Sequence, residues 1–407
     1  MANEITWAPH IPLIGGLPLG AEAAIGRAPE EIFSLPGFYG NDKHYHHYQT
    51  VTLGRTSLKY TPIDPDDVAF DRKINIIVGT PPCAALSQLN TGTKPEAKGA
   101  GCAKNDFMMM VFRHSMKKFD ADVIIVENAP ALSTPKGKPV ADALYEICKE
   151  NGYSMTLYKT STHFHGIPQR RDRTFAIAWK SATAPLMEFH RSEADKFVDY
   201  LKKIPADAQH NESTDVINFK LLEDGYWKFI NATIGDPRKL LPESGHITCF
   251  NYVNKNGLLD KAIVWLRENG TERNIALAEH AKMKIDSGKG IWDGSVHVFT
   301  DVMNAYIGRN ANDTVHPIED RSLTVREGMH MMGLPHDMEL LGGKKNHNHI
   351  CQNVPTCTAA FIVGEAAKFL RGELTLSSCA YIKQDNWTRK TENLIAEEPV
   401  NLASFVS

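Results

Sequence analysis

The stretch Ile74-Asn75-Ile76-Ile77-Val78-Gly79-Thr80-Pro81-Pro82-Cys83 decides the fold. A short apolar run rich in β-branched residues, closed by a glycine and two prolines, predicts a buried strand that stops abruptly. The thiol of Cys83 then stands just past a strand's carboxyl end. In open α/β sheets that edge is where ligands bind, so a cysteine delivered there on a proline-stiffened turn is a candidate nucleophile. An arbitrary unpaired cysteine is a small buried hydrophobe. The neighbouring segments therefore have to supply the chemical company.

Working outward, residues 106–119 place apolar side chains at helical spacing, 123–126 read as a second apolar strand, and 140–151 form another helical pattern that stops at Asn151-Gly152. Strands are also expected at 174–179 and, from a shorter run, at 37–39. Strands alternating with helices predict right-handed βαβ units and a mainly parallel sheet. The fold class is thus α/β and doubly wound, carried by about residues 1–185 and a returning helix within 351–372. Past 185 the alternation breaks up. Mixed polar stretches with scattered aromatics predict a second, smaller, irregular domain over 186–350, with helices near 262–268 and 274–283 and extended chain at 246–253 and 296–300. The polar stretch 373–407 reads as a C-terminal tail.

At 407 residues and 42% apolar content the chain can build real cores in two or three domains. Seven cysteines without CxxC or CxxH spacing, no charged-then-apolar leader and no membrane-length apolar run predict a cytoplasmic protein with free thiols, no membrane partner and no metal site. The net charge of −3 gives no global basic field, so nucleic-acid contact must come from local patches. Arg170, Arg171, Arg173 and Lys180 form one such patch; Lys94, Lys98, Lys104, Arg113, Lys117 and Lys118 form a looser one.

Glu127-Asn128 directly follows the strand at 123–126, which brings its carboxylate to the same sheet edge as Cys83. A nucleophile and a carboxylic acid on adjacent strand ends suit covalent chemistry in which one group attacks and the other donates a proton or hydrogen bond. The segment after Cys83, up to about Lys104, is rich in Gly, Lys and Ala and suits a lid.

Pro81-Pro82-Cys83, Glu127-Asn128, Gln169-Arg170-Arg171-Asp172-Arg173, His316-Pro317 through Asp320-Arg321-Ser322-Leu323-Thr324-Val325-Arg326-Glu327, and Asn353-Val354-Pro355 occur in this order. The chain resembles the DNA (cytosine-5) methyltransferases from about Ile11 to Leu370. The resemblance implies the mixed sheet of S-adenosylmethionine-dependent methyltransferases, with 186–350 as the target-recognition domain. It implies that Cys83 adds to carbon 6 of a cytosine flipped out of double-stranded DNA, and that Glu127 contacts N3 and the exocyclic amine. Arg173 would hold O2, Arg171 would support the site or a phosphate, and Ser87 and Gln169 would lie on the substrate side. S-adenosylmethionine, or a close analogue, would be bound by Ile14, Gly15, Gly16, Asn41, Asp42, Asp64, Pro81 and Asn353. A monomer is expected, with a cognate restriction enzyme as its partner in the cell. A non-catalytic DNA-binding homologue is the alternative class; the RNA-acting branch is disfavoured by Ala84-Ala85, where it has Phe-Thr.

The departures from the family pattern gather on the cofactor side. In the loop that resembles Phe-x-Gly-x-Gly-Gly, Ile11 replaces the aromatic and Leu13 the first glycine, while Gly15 and Gly16 remain. Gly40 falls where an acid should grip the ribose, with Asn41 and Asp42 beside it, and a shift of register would make Asp42 the ribose ligand. A glycine there would tolerate an added negative group on the cofactor, the physical motive for considering an analogue.

Overall fold

A nine-stranded sheet organises the chain in the computed structural model, which describes residues 4–35, 39–82, 86, 99–212, 221–291, 295–307 and 313–396. Cys83 and Ser87 lie outside the described residues. The strands are β1 (Trp7–His10), β2 (Ile32–Ser34), β3 (Tyr60–Pro62), β4 (Ile76–Gly79), β5 (Val123–Asn128), β6 (Ser154–Ser161), β7 (Gln169–Arg170), β8 (Asp172–Trp179), β9 (His246–Thr248), β10 (His297–Phe299), β11 (Met303–Asn304), β12 (Thr314–Val315), β13 (Cys379–Asp385) and β14 (Lys390–Ala396). The large sheet runs β14-β13-β6-β8-β5-β4-β1-β2-β3. Strands β3, β2, β1, β4 and β5 are mutually parallel, and β8 inserts antiparallel between β5 and β6. The sheet is mixed and doubly wound.

Alternation along the central strands feeds two apolar layers. On β5, Ile124 and Val126 face the layer of α3 (Asp106–Phe119) and α4 (Lys138–Glu150). Val123 and Ile125 face the layer of α1 (Gly16–Ile25) and α12 (Thr356–Leu370). Helix α12 is the returning helix expected from the sequence. The helix α2 (Tyr39–His47) begins where a strand was expected at 37–39; the strand is β2, five residues earlier, and Gly37 and Phe38 lie outside the described residues.

Residues 221–315 contain a core of their own, in which α6 (Gly225–Thr233), α7 (Cys249–Lys255), α8 (Leu259–Asn269) and α9 (Glu272–Asp286) close on Val298 and Val315. The extended run expected at 246–253 ends at Thr248, because the Thr248 hydroxyl accepts the Asn251 amide at 3.2 Å and caps α7. The polar stretch at 373–407 is not simply a tail. Its described part supplies β13 and β14, and β13 adds to β6 in parallel register. No helix among the described residues is long and apolar enough to cross a membrane.

The 316–327 segment is a buried electrostatic clasp around α10 (Val325–His330). Thr324 and Glu327 form a capping box, and Arg321 donates to both Glu327 oxygens at 2.8 Å. Burial alone would raise the Glu327 carboxyl, but Arg321 and His316 outweigh it and hold the carboxyl down at about 2. The folded value lies below the ordinary one, so this stabilisation is complete above the ordinary carboxylate range and is lost as pH falls toward 2. Glu327→Gln should therefore lower stability at pH 7 by about 3 kcal/mol and flatten the decline between about pH 4.5 and 2, read by urea unfolding across that range.

Candidate active site at the carboxyl edge of the sheet

Strand order reverses between β1 and β4, and the crevice above such a point is the standing ligand site of doubly wound sheets. His10 of β1, Gly79 of β4 and Val126 of β5 lie in one register row. One step further on stand the turn from Ile11, the turn Thr80-Pro81-Pro82 that leads into Cys83, and Glu127. The turn that precedes Cys83 and the Glu127 carboxylate thus stand at adjacent strand ends, while Cys83 itself lies outside the described residues.

On the side expected to meet the base, parity of the strands decides which side chains meet. Val123, Ile125 and Glu127 share one face of β5, and Arg173, Phe175 and Ile177 share the same face of β8. Arg173 Nε accordingly lies 2.5 Å from Glu127 Oε1. The Glu127 carboxyl is almost wholly buried; burial pushes its pKa up, while Arg173 and then Arg171 pull it back. The outcome is a raised carboxyl beside a fixed guanidinium. Arg173 keeps part of its surface open and donates through Nη1 to the Asp172 carbonyl at 2.7 Å.

Arg171, at the break between β7 and β8, is buried and committed to main-chain carbonyls. Its Nη1 donates to the Tyr306 carbonyl at 2.8 Å, and its Nη2 donates to the carbonyls of Cys351 at 2.5 Å and Asn353 at 2.8 Å. It ties β8 to the end of α11 (Asn346–Cys351) and to the turn before α12. Gln169, expected to face substrate, does not. It is fully buried, its Nε2 donates to the Met331 carbonyl at 2.6 Å and its Oε1 accepts from Tyr306 N at 2.9 Å, so both ends of the amide are bound to main chain.

The turn expected to approach the cofactor is 11–16. Ile11 and Leu13 have φ of 57° and 52°, left-handed values unusual for branched side chains. Each costs roughly 1–2 kcal/mol, and such outliers gather at ligand sites. Leu13 N donates to Asp42 Oδ1 at 2.9 Å, which holds the turn in this shape. Asp42 also binds the Ser34 and Tyr60 hydroxyls through Oδ2, and burial raises its carboxyl to about 7 against the Tyr60 and Leu13 hydrogen bonds. Asp42 faces inward as a brace for the turn, which corrects the expectation that it grips the ribose.

Gly15, at φ 107°, lies against the Tyr45 ring, and a Cβ on Gly16 would stand 1.9 Å from the Val354 carbonyl. Gly16 N donates to Asn353 Oδ1 at 2.7 Å. Asn353 Nδ2 and the Tyr45 hydroxyl are buried beside this turn with no partner among the described residues. An unpaired amide donor next to a glycine turn at the switch point fits an anionic group such as a cofactor carboxylate. Of the other residues expected here, Pro81 is buried at the end of β4, and Ile14 turns its side chain into the core with Tyr48 and Met332. Asn41 lies at the surface, donating to Gln352 Oε1 at 3.2 Å, and Asp64 is exposed and caps its own turn through Asp66 N at 3.0 Å.

Residues 14–367 match the family described as C-5 cytosine-specific DNA methylase. The chain belongs to that family. Membership places it among the DNA methyltransferases, the enzyme class expected from its sequence. The chain is 26% identical over 180 residues to a protein of Oceanobacillus iheyensis named as a type II methyltransferase, a match spanning 41% of this chain and 38% of that protein. It is 21% identical over 314 residues to another so named from Methanocaldococcus jannaschii, across 75% of this chain and 81% of that one. A solved DNA modification methyltransferase encoded in an Escherichia coli prophage shares the fold at a TM-score of 0.55 and 16% identity, covering 91% of this chain and 100% of its own. The Entamoeba histolytica methyltransferase EhMeth gives a TM-score of 0.50 at 13% identity, with coverage of 91% and 99%.

Sequence reasoning missed Tyr45 and the Ser34–Asp42 brace, whose only signal was an acid in the first turn of α2. Gly16→Ala should lower stability by about 2–3 kcal/mol, because backbone and amide leave its methyl no room; thermal unfolding checks this. Arg171→Lys should not rescue the loss caused by Arg171→Ala, since an ammonium cannot reach three carbonyls in one plane.

Proposed function

We propose that the protein methylates carbon 5 of cytosine in double-stranded DNA through a covalent Cys83 adduct on a flipped-out base. The observation that carries this reading is the buried Glu127–Arg173 pair on the sheet edge where the Pro81-Pro82 turn leads into Cys83. Carbon 5 of cytosine is a weak nucleophile. Addition of the Cys83 thiolate to carbon 6 forms a carbon–sulfur bond and moves the ring electrons toward N3. Glu127, its carboxyl raised by burial, holds a proton at Oε for N3 at that moment, and Arg173 steadies the charge at O2. S-adenosylmethionine, when bound, supplies the electrophilic methyl group.

Its carboxylate would be held by Asn353 Nδ2 and by main-chain groups of the 11–16 turn. Once carbon 5 carries the methyl group, with S-adenosylhomocysteine left as the other product, the carbon 5 proton leaves to solvent, the carbon–sulfur bond breaks with Cys83 departing as thiolate, and N3 returns its proton to Glu127. The target atom is out of reach within a duplex, so the base must leave the stack. The ribose end has lost its expected acid, with Gly40 at that place and Asp42 braced inward, so weaker hold on the ribose is the price of the altered turn.

Mass spectrometry of nucleosides from DNA incubated with the protein and S-adenosylmethionine should show 5-methylcytosine. DNA that is bound but unmodified would instead favour a non-catalytic homologue, and a heavier cytosine adduct made only with cell extract would favour a cofactor analogue. Glu127→Gln should slow product formation by about 100-fold or more, because its amide cannot deliver a proton to N3.

A further inference from the structure

The described part of the expected tail carries a surface whose chemistry the methylation reading does not use. Strands β13 and β14 lie beyond the family-matched region, which ends at residue 367. Asp385 pairs with Lys159, Lys159 with Thr174, and Thr174 with Asn128, so the turn between β13 and β14 stands in the same row as the end of β5. Three strand spacings separate Asp385 from Asn128, about 14 Å. That is the length of about four base-pair steps along a duplex.

The turn is fixed in place. Asn386 is buried and bonds the Lys159 carbonyl through its own amide at 3.0 Å, Thr160 Oγ1 at 3.0 Å and the His190 carbonyl at 3.1 Å. Around it the cations interleave with rings. Lys159 Nζ lies 4.9 Å from the Trp387 ring centre, Trp387 meets Phe164 edge-on at 5.2 Å, and the Arg191 guanidinium lies 3.3 Å over Phe164. Arg191 donates through Nη2 to the carbonyls of Asn386 at 2.9 Å and Trp387 at 3.2 Å.

Lys159, Arg170, Arg191 and Arg389 form no ion pair among the described residues. The carboxylates that face Arg191 and the neighbouring His163 are Asp385 and Asp172. Asp385 uses Oδ1 on the turn's own amides of Trp387, at 2.6 Å, and Thr388.

Arg389 supplies a second, independent observation. Its φ is 57°, the left-handed position of the turn, where glycine or asparagine is favoured. An arginine there is less stable than a glycine by about 1 kcal/mol, and it is exposed, so packing does not explain it.

We propose that the β13–β14 turn is a DNA-phosphate clamp, in which Arg389, Lys159 and Arg191, with Arg170 at the adjoining edge, hold the duplex backbone flanking the flipped cytosine. The clamp rests on the DNA reading given above. It acts on phosphate without reading sequence, and it fixes the duplex relative to the sheet edge.

Binding of the full-length protein to a random-sequence 30-base-pair duplex, followed by fluorescence anisotropy across a salt series, tests it. Arg389→Gly should weaken binding by about 3–10-fold at low salt and lower the salt slope by about 0.9, while thermal stability stays level or rises. Arg389→Lys should retain the slope, and Lys159→Glu should weaken binding further. Unchanged affinity and slope in Arg389→Gly and Lys159→Glu, with normal wild-type binding, would overturn the clamp and leave the methylation reading standing. No duplex binding by the wild-type protein would overturn both.

Discussion

The buried guanidinium of Arg171 is the constraint on which the site depends. Three carbonyls from two distant stretches, one at Tyr306 and two at Cys351 and Asn353, converge on one planar cation just before β8. Without it those carbonyls would be buried acceptors with nothing to accept from, each a loss of about 1–3 kcal/mol. Arg171 sits at the break between β7 and β8, after Arg170, which faces solvent, and before Arg173, which faces Glu127, so one short segment serves surface, scaffold and the Glu127 pair at once. It also sets the Asn353 turn against Gly16, linking the two halves of the cofactor crevice.

Much of the fold could be read from periodicity. The apolar runs at β4 and β5 describe strands buried on both faces, and the helical spacing of α3 and α4 with the Asn151-Gly152 stop describes helices with one face on the sheet, so pattern and structure agree. The hairpin β13–β14 escaped notice because Ala380, Tyr381 and Ile382 follow one another without alternation. The register shifts there at an irregularity between Cys379 and Ile382, which breaks the period of two. Tertiary pairing with β6 makes this strand, and a local pattern cannot report that.

The site was legible on one side only. Glu127 and Arg173 take their positions from strand parity, which a sequence displays. Asp42 and Gln169 take theirs from partners far along the chain, Leu13 and Tyr60 for one and Met331 and Tyr306 for the other, whereas the family resemblance suggested them as ligands. The left-handed Leu13 explains the difference at Asp42. A turn that lacks the family's first glycine needs a partner for its buried Leu13 amide, and Asp42 provides it. Loss of a glycine and inward rotation of a carboxylate are then two consequences of one change.

The central claim is that Cys83 attacks carbon 6 at this edge, and trapping the attack tests it most directly. A duplex containing 5-fluorocytosine cannot lose its carbon 5 substituent after methyl transfer, so incubation with the protein and S-adenosylmethionine should leave a denaturant-stable complex. Peptide mapping should place the link at Cys83, and Cys83→Ser should form none. Intact DNA binding without a stable complex, or a link at another residue, would contradict the account.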